Sequence, residues 1–287
     1  MENGASDSFL SPSPCLPASP SLHPFETAQV KIKLLPSTIS ADGHVSPEQR
    51  LSCFVVDGRV ALDAGSIAIG LDDAERESVR DVIITHPHID HLATLPIFVD
   101  DLFAFLKEPI RIHATQEVCD LVARDIFNGT VYPPFQDFNN GTTPVMQFVP
   151  FRTGEEFRVA HLRITAVPVR HIVPTVGMVF TDGETTIALS SDTASTDEFW
   201  HLVNREPRLD ALLIESSFPN HLSKLAEASG HLTPDALGQE LRKLKHTDLD
   251  ILAMHLKPSF RRQLIEELAA LRVPRLSAME PGREYSW

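Results

Sequence analysis

The feature that most constrains this chain is the stretch 82–92, which reads VIITHPHIDHL. Its first residues, Val82, Ile83 and Ile84, form an apolar run that is typical of a buried strand. Pro87 has no backbone N–H to donate to a neighbouring strand, so the strand is predicted to end before it. The stretch therefore predicts a buried strand that runs directly into a loop crowded with polar side chains.

Three histidines and one aspartate fall within six positions of that loop: His86, His88, Asp90 and His91. In an extended segment, residues two apart lie on the same side, so His86 and His88 are placed to hold one ion. Asp90 and His91 follow where the chain turns, and they are placed to face a second ion. Imidazole nitrogen and carboxylate oxygen suit Zn²⁺, Mn²⁺ or Fe. A single histidine is usually an ordinary surface residue, but this density of ligands predicts a metal site.

Residues 85–91, THPHIDH, match the signature T-H-x-H-x-D-H, and the chain thereby resembles the metallo-β-lactamase superfamily. The resemblance implies an α/β fold, an αββα sandwich in which two β-sheets pack face to face with helices outside. It also implies a metal site at one edge of the sandwich. The signature is that of a superfamily of hydrolases, and it leaves the substrate open.

Charge and cysteine content narrow the classes of partner and compartment. The formal net charge of −14 argues against broad binding of nucleic acid or anionic membrane, although a local positive patch is compatible with it. The three cysteines form no C-x-x-C pair, which favours reduced thiols over a disulfide framework. No apolar run has transmembrane length and no signal peptide is recognisable, so we expect a cytoplasmic protein.

The chain divides into a tail and a folded part. Residues 1–26 are rich in Ser and Pro and are predicted to be a flexible tail. Residues 27–287 contain no internal repeat and no linker, and strands and helices succeed one another in a way that predicts one domain. A long loop at 128–144 carries three aromatic side chains, which we expect to pack on their own domain rather than to line a pocket.

The remaining metal ligands are predicted at the ends of three further apolar runs. His171, Asp192 and His255 each follow such a run, and the superfamily resemblance places ligands at such strand ends. Two divalent ions are expected, with Zn²⁺ first and Mn²⁺ or Fe as alternatives, and a hydroxide between them would be the nucleophile. The resemblance implies this distribution: His86, His88 and His171 hold the first ion, Asp90, His91 and His255 the second, and Asp192 bridges both.

Asp63, in the segment Asp63-Ala64-Gly65, is open to two interpretations. Its carboxylate can orient a ligand histidine, as the resemblance implies for this loop. It can equally cap backbone amides within a turn.

A more specific resemblance lies in the segment 214–258. It reads IESSFPN at 214–220, SGHLTP at 229–234 and MHLKP at 254–258. These runs are similar to the E-x-S-F-P, G-H-L-T-P and H-x-K-P motifs of the class II 3′,5′-cyclic-nucleotide phosphodiesterases. The resemblance covers nearly all of 29–258. It implies hydrolysis of the 3′ phosphodiester bond of cyclic AMP or cyclic GMP to give the 5′-nucleotide.

The same resemblance implies catalytic roles for three residues. His231 would be the general acid that protonates the leaving oxygen, and Glu215 would orient and charge it. Asp90 is assigned both as ligand and as catalytic carboxylate. Residue chemistry alone leaves alternatives, because Glu215 could pair a structural histidine and His231 could simply flank a helix. Lys257 could add positive charge near a phosphate or be an ordinary surface lysine.

Three rival functions follow from the same signature. One is another phosphodiesterase, such as a tRNA 3′-end nuclease, against which stand the acidic charge and the absence of a basic Gly-rich arm. The second is a lactone, lactam, ester or thioester hydrolase, which would not need Glu215 and His231. The third is a non-catalytic nucleotide sensor. We expect a small cyclic nucleotide as substrate, no membrane partner and no nucleic acid, and we leave open the base preference and whether the chain forms a homodimer.

Overall fold

The computed structural model describes Met1 and residues 29–287. The predicted tail at 1–26 therefore lies, apart from Met1, outside the described residues. Within residues 29–287, fourteen strands form two sheets of seven. The first sheet has this order across its width: β14 (Glu284–Ser286), β1 (Lys31–Leu34), β2 (Phe54–Val56), β3 (Val60–Leu62), β4 (Asp81–Ile83), β5 (Ile110–Thr115) and β6 (Met146–Phe151).

The second sheet is built mostly from the carboxyl-terminal half of the chain. Its order is β13 (Leu276–Ala278), β12 (Asp250–Met254), β11 (Ala211–Glu215), β10 (Thr186–Leu189), β9 (Val176–Thr181), β8 (Leu162–Pro168) and β7 (Glu156–Val159). Strands β3 to β6 run parallel to one another, and so do β10 to β13. Because parallel neighbours end at the same edge of a sheet, side chains that follow these strands are brought together.

Helices cover the outer face of each sheet. In chain order they are α1 (Ile67–Gly70), α2 (Asp73–Ser78), α3 (Ile89–Leu92), α4 (Leu95–Leu102), α5 (Gln116–Asp125), α6 (Glu198–Val203), α7 (Ser223–Ser229), α8 (Pro234–Glu240) and α9 (Arg261–Ala270). None of the helices in residues 29–287 combines the length and apolar character needed to cross a membrane.

Three apolar layers hold the elements together. The central layer lies between the sheets, where Ile32 and Phe54 of the first sheet pack with Met178 and Leu213 of the second. One outer layer packs β4 and β5 against α4 and α5, and the other packs β11 and β12 against α6, α8 and α9. Strands covered on both faces read as continuous apolar runs, which is why β10 and β11 are wholly buried. The predicted αββα sandwich is confirmed.

Local signals explain the hairpins. Asp57 and Gly58, between β2 and β3, both have positive φ, at 51° and 63°, as the tight turn that joins two antiparallel strands requires.

In the loop 128–144, Phe135 is buried and its ring lies 5.9 Å from the rings of Tyr132 and Phe138. Phe135 and Tyr132 pack on the core of their own domain, as expected, whereas Phe138 is exposed.

Candidate metal centre and active site

The predicted ligands all lie at the carboxyl-terminal edge of the parallel strands. The loop after β4 carries two of them and α3 the next two, and the others follow β8, β10 and β12. Two groups of three side chains place their ligand atoms within 4.8 Å of one another: His86, His88 and His171, and Asp90, His91 and His255. The structure thus brings together residues that are up to 169 positions apart, from His86 to His255.

Asp192 lies between the two groups. Its Oδ2 is 3.7 Å from Nε2 of His86, which belongs to the first group. The same oxygen is 3.4 Å from Nε2 of His91 and 3.4 Å from Nε2 of His255, both in the second group. A carboxylate in this position can contact cations on both sides.

Unpaired atoms at the centre of the cluster fit a divalent cation. Nε2 of His86 and Oδ1 of Asp192 are buried and have no hydrogen-bond partner in the described part of the chain. Nδ1 of His171 donates to the carbonyl oxygen of Gly230 at 2.9 Å. In the neutral ring Nε2 therefore carries the free lone pair, and this nitrogen lies 3.1 Å from Nδ1 of His88. Buried polar atoms are rarely left unpaired, and converging nitrogen lone pairs are the donor set that Zn²⁺ and related ions take.

Charges in the cluster favour the same occupant. Burial, with the charges of neighbouring histidines, lowers the pKa of His86, and burial likewise lowers the pKa of His88 and His171. Neutral imidazole is the form that binds metal. Burial opposes ionisation of Asp192, but the nearby His255 and His91 hold its pKa well below the usual range. The cluster therefore combines neutral nitrogen donors with an ionised carboxylate.

The ring of His91 lies between two carboxylates, which favour positive charge on it. Burial opposes its protonation, yet Asp192 and Asp63 together raise its pKa well above the usual range. The two carboxylates contact opposite sides of the ring, Asp63 at Nδ1 and Asp192 at Nε2. A divalent cation at Nε2 would supply the positive charge that a proton otherwise supplies there.

Asp63 contacts the cluster directly. Its Oδ2 lies 2.7 Å from Nδ1 of His91, which is the orienting contact that one of the two interpretations expects. Its Oδ1 also accepts from the backbone N–H of Thr85 at 2.8 Å, and the Thr85 hydroxyl, 3.0 Å away, contacts the same carboxylate. Ser191 in turn donates to Thr85 Oγ1 at 2.9 Å. Sequence reasoning quoted Thr85 within the signature but gave neither Thr85 nor Ser191 a role, because a hydroxyl beside an apolar strand carries no sign of its partner.

Glu215 and His231 form the second part of the site. Glu215 is fully buried, and its Oε1 lies 2.8 Å from Nδ1 of His231 and accepts from the N–H of Thr193 at 2.9 Å. Burial opposes protonation of His231, but the hydrogen bond and charge of Glu215 raise its pKa above the ordinary value. His231 also comes within 4.8 Å of the ligand atoms of His171 and Asp192. The pair therefore borders the metal cluster.

Ser217 links the pair to the cluster. Its hydroxyl lies 2.8 Å from Oε2 of Glu215, 3.3 Å from Nδ1 of His231 and 2.9 Å from Nδ1 of His255. Sequence reasoning quoted Ser217 within the ESSFP run but gave it no role. The signal that could have found it is its place between Glu215 and Phe218, in a motif already singled out.

Unusual backbone geometry supports these positions. Asp63, Ser191 and His255 all have positive φ, between 55° and 59°, which is uncommon for residues other than glycine and costs energy. Gly65 is required for a different reason, since a Cβ there would overlap the carbonyl oxygen of Asp90 and lie 2.8 Å from the N of Ser52. Helix α3, which carries Asp90, is thus packed directly on Gly65.

A small cavity of about 40 Å³ adjoins the cluster, and Asp90 and His255 are part of its wall. Arg50 and Lys257 also line it, which places two cationic side chains close to the candidate metal site. Lys257 additionally lies over the ring of Phe218, 5.9 Å from the centroid.

Comparison with known proteins places the chain among relatives of this architecture. A family model described as the beta-lactamase superfamily domain matches residues 67–255. A protein of Yersinia pestis, named a probable 3′,5′-cyclic-nucleotide phosphodiesterase, is 27% identical over 210 residues, which are 64% of this chain and 59% of that protein. The chain therefore spans a little under two thirds of that relative's length.

Solved structures show the same fold. Unliganded yeast PDE1 matches with a TM-score of 0.70 and 17% identity, covering 89% of this chain and 98% of that one. The metallo-beta-lactamase fold protein YhfI of Bacillus subtilis matches with a TM-score of 0.68 and 15% identity, over 90% of this chain and 99% of that one. The short form of human tRNase Z has a TM-score of 0.61 and 15% identity, over 90% and 98%. At these identities the likeness is one of fold alone.

Proposed function

The chain belongs to the metallo-β-lactamase superfamily, and we propose that it is a metal-dependent hydrolase that converts 3′,5′-cyclic nucleotides to 5′-nucleotides. The observation that carries the proposal is the buried contact between Glu215 and His231 beside the His/Asp cluster. Hydrolysis of an alkyl phosphodiester needs a proton donor for its departing alkoxide, and this pair is built to hold a proton. The 27%-identical relative named as a cyclic-nucleotide phosphodiesterase supports the same reaction.

In this proposal the seven clustered residues would hold two divalent ions. His86, His88 and His171 would hold one, Asp90, His91 and His255 the other, and Asp192 would serve both. When bound, such ions lower the pKa of a water molecule to produce the nucleophile and neutralise charge on the phosphoryl oxygens. Asp63 holds His91 through Nδ1, which directs Nε2 of that ring toward the cluster. The carbonyl oxygen of Gly230 does the same for His171. Such contacts fix the tautomer and orientation of a ligand histidine.

His231 acts as the general acid in the proposal. Glu215 accepts from Nδ1 of the ring and so leaves Nε2 for the 3′-oxygen of the substrate. Because Glu215 also raises the pKa of His231, a larger fraction of the ring carries the proton that the leaving oxygen needs. Ser217 helps to hold the carboxylate through its contact with Oε2. Glu215 and Ser217 are positioning residues, since they act through His231.

Apolar side chains beside the cluster suit the base of a nucleotide. Ile89 and Ile172 are more than half exposed, and each is a chain neighbour of proposed ligands. The ring of Phe218 lies 5.7 Å from the ring of His231. A purine could gain contacts with such surfaces while its phosphate meets the ions, and Arg50 and Lys257 would add positive charge nearby.

A substrate panel tests the proposal. Metal-loaded protein is assayed with cyclic AMP, cyclic GMP, a bis-phenyl phosphodiester, a lactone and pre-tRNA, and kcat/KM is compared. We expect one or both cyclic nucleotides to be the best substrates. A higher kcat/KM on pre-tRNA would instead favour a tRNA 3′-end nuclease, and one on the lactone would favour a carboxyl-ester hydrolase; either result contradicts the proposal.

A further inference from the structure

A second cleft, of about 430 Å³, opens at the amino-terminal ends of β4 and β5. Its wall includes Asp81, the first residue of β4, and Arg158 from the β7–β8 hairpin of the other sheet. The candidate metal cluster begins with His86, at the opposite end of β4. His86 is five residues after Asp81. At about 3.3 Å per residue this distance along the extended chain is roughly 16 Å, so the two sites are separate.

Four arginines line this cleft, on a chain whose formal net charge is −14: Arg59, Arg80, Arg111 and Arg158. Two carboxylates, Asp81 and Glu108, also line it, and both are engaged by Arg111. Nε and Nη2 of Arg111 donate to Asp81 at 2.7 Å each, and its Nη1 donates to Glu108 at 2.9 Å. Arg111 is therefore the arginine that pairs with both acidic side chains of the wall.

The other three arginines have no carboxylate within 4.0 Å among residues 29–287. Arg59 and Arg158 are exposed, on hairpins of the two different sheets. Arg80 is half-buried, and its Nη1 donates to the carbonyl oxygens of Val79 at 2.7 Å and Arg76 at 3.1 Å. Three guanidinium groups that line the cleft thus form no ion pair within the described part of the chain.

Arg80 carries a positive charge that is partly removed from solvent. Burial is the main cause that lowers the pKa of Arg80. The charge of Glu108 opposes this shift, the charge of Arg111 lowers the pKa further, and the charge of Glu77 raises it. Guanidinium remains charged at neutral pH, and a partly desolvated charge is costly unless it is paired. An anion in the cleft would relieve that cost.

The floor of the cleft is rigid. Asp81 accepts from Arg111 and also lies 2.8 Å from Nε2 of the buried His113, so three side chains from β4 and β5 hold one another. Burial opposes ionisation of Asp81, but these two partners hold its pKa well below the usual range. The guanidinium of Arg111 is therefore fixed before any ligand arrives.

We propose that this cleft binds a small molecule that carries phosphate groups. The planar fork of arginine matches phosphate oxygens in pairs, and three unpaired guanidinium groups around one concavity suit a polyanion better than a single carboxylate. The volume lies within the usual range of small-molecule sites, and a concave site of this kind favours a small molecule over a flat protein surface. The site is distinct from the proposed catalytic centre.

The test uses inorganic phosphate as the probe and isothermal calorimetry of the metal-loaded protein. The double variant Arg59→Gln/Arg158→Gln removes two exposed cleft arginines, and its matched control is Arg262→Gln/Arg272→Gln, also two exposed arginines. Arg80→Gln provides an independent cleft variant. Circular dichroism verifies that each variant is folded.

We expect both cleft variants to weaken phosphate binding at least about tenfold, the usual effect of removing charge-assisted hydrogen bonds. The control pair should leave it unchanged. Asp192→Ala alters the candidate metal cluster and should leave phosphate binding in the cleft unchanged. Loss of the proposed catalytic function can therefore be distinguished from loss of phosphate binding in the cleft. Three results would overturn the proposal. The wild type could show no detectable phosphate binding, or the control pair could weaken binding as much as the cleft variants do. Binding could also be lost in Asp192→Ala but kept in the cleft variants.

Discussion

Nδ1 of His231 lies 2.8 Å from Oε1 of Glu215, a carboxylate that has no exposure to solvent. The same carboxylate accepts from the N–H groups of Thr193 and Leu232 and from the hydroxyl of Ser217. Four contacts fix its orientation, and through it the orientation of the imidazole. A histidine held in this way beside a metal cluster is positioned for proton transfer.

Replacement of His231 by alanine should separate acid chemistry from metal chemistry. The variant should fold and retain its metal, because the seven clustered ligands are untouched. Its kcat on cyclic nucleotides should fall by about 10²–10⁴, the usual contribution of a positioned acid. The loss should be much smaller on a nitrophenyl phosphodiester, whose leaving oxygen departs without a proton.

The control for this variant is His201→Gln, on the exposed face of α6, which should behave as the wild type. Equal losses on the two substrates in His231→Ala would rule out the acid role. His231 would then be a phosphate-binding or structural residue.

Glu215→Gln should move the pH dependence of kcat. An acid must be protonated, so activity is lost as pH rises through the pKa of His231. Glu215 raises that pKa, and removal of its negative charge should therefore shift this loss of activity to lower pH. The kcat–pH profile measures the shift, with Glu266→Gln on the surface of α9 as the control. An unmoved profile would show that Glu215 does not set the charge of His231.

Asp192→Ala should deplete metal from both halves of the cluster. The wild type should contain about two ions per chain, since seven ligands form two sites. Oδ2 of Asp192 lies within 3.7 Å of Nε2 of His86 and within 3.4 Å of Nε2 of His255, which belong to different groups. Elemental analysis should find less of both ions, and an activity assay should find turnover lost. The control Asp120→Ala, on the exposed face of α5, should retain both ions and turnover. An unaltered metal content would mean that Asp192 does not bridge.

Gly65→Ala should disturb helix α3, which carries Asp90, and the loop that leads into it. A Cβ at this position overlaps the carbonyl oxygen of Asp90, and backbone cannot give way as a flexible side chain can. We expect the free energy of unfolding to drop by about 1–3 kcal/mol, as for other overpacked sites, and metal content to fall with it. Gly238→Ala in α8 is the matched control, because its Cβ meets only the end of the Leu271 side chain. Wild-type stability and metal content in Gly65→Ala would contradict this account of the loop.

The predicted ligands were readable from the sequence for a physical reason. His171, Asp192 and His255 each interrupt a strongly apolar pattern, and a polar residue at the end of a buried strand is conspicuous. Since parallel strands end at one edge, such residues meet once the strands are aligned. The sequence motif supplied the other four residues that the structure brings together in the cluster.

Other features could not be predicted from local patterns. Thr85, Ser191 and Ser217 are common residue types, and their partners are decided by strand packing between distant segments. The short strand β14, EYS at Glu284–Ser286, has no apolar run, and it forms because β1 offers an unpaired edge. The cleft arginines are spread from Arg59 to Arg158, so only the folded chain shows that they share one wall.

The central claim is that cyclic nucleotides lose their 3′ phosphodiester bond at this cluster. The most direct measurement is chromatographic identification of the products after metal-loaded protein is incubated with cyclic AMP, with Asp192→Ala as the blank. The account predicts the 5′-nucleotide as the sole product of the wild type and no product from the variant. Formation of the 3′-nucleotide, or no turnover of cyclic AMP or cyclic GMP by protein shown to contain its metal, would contradict it.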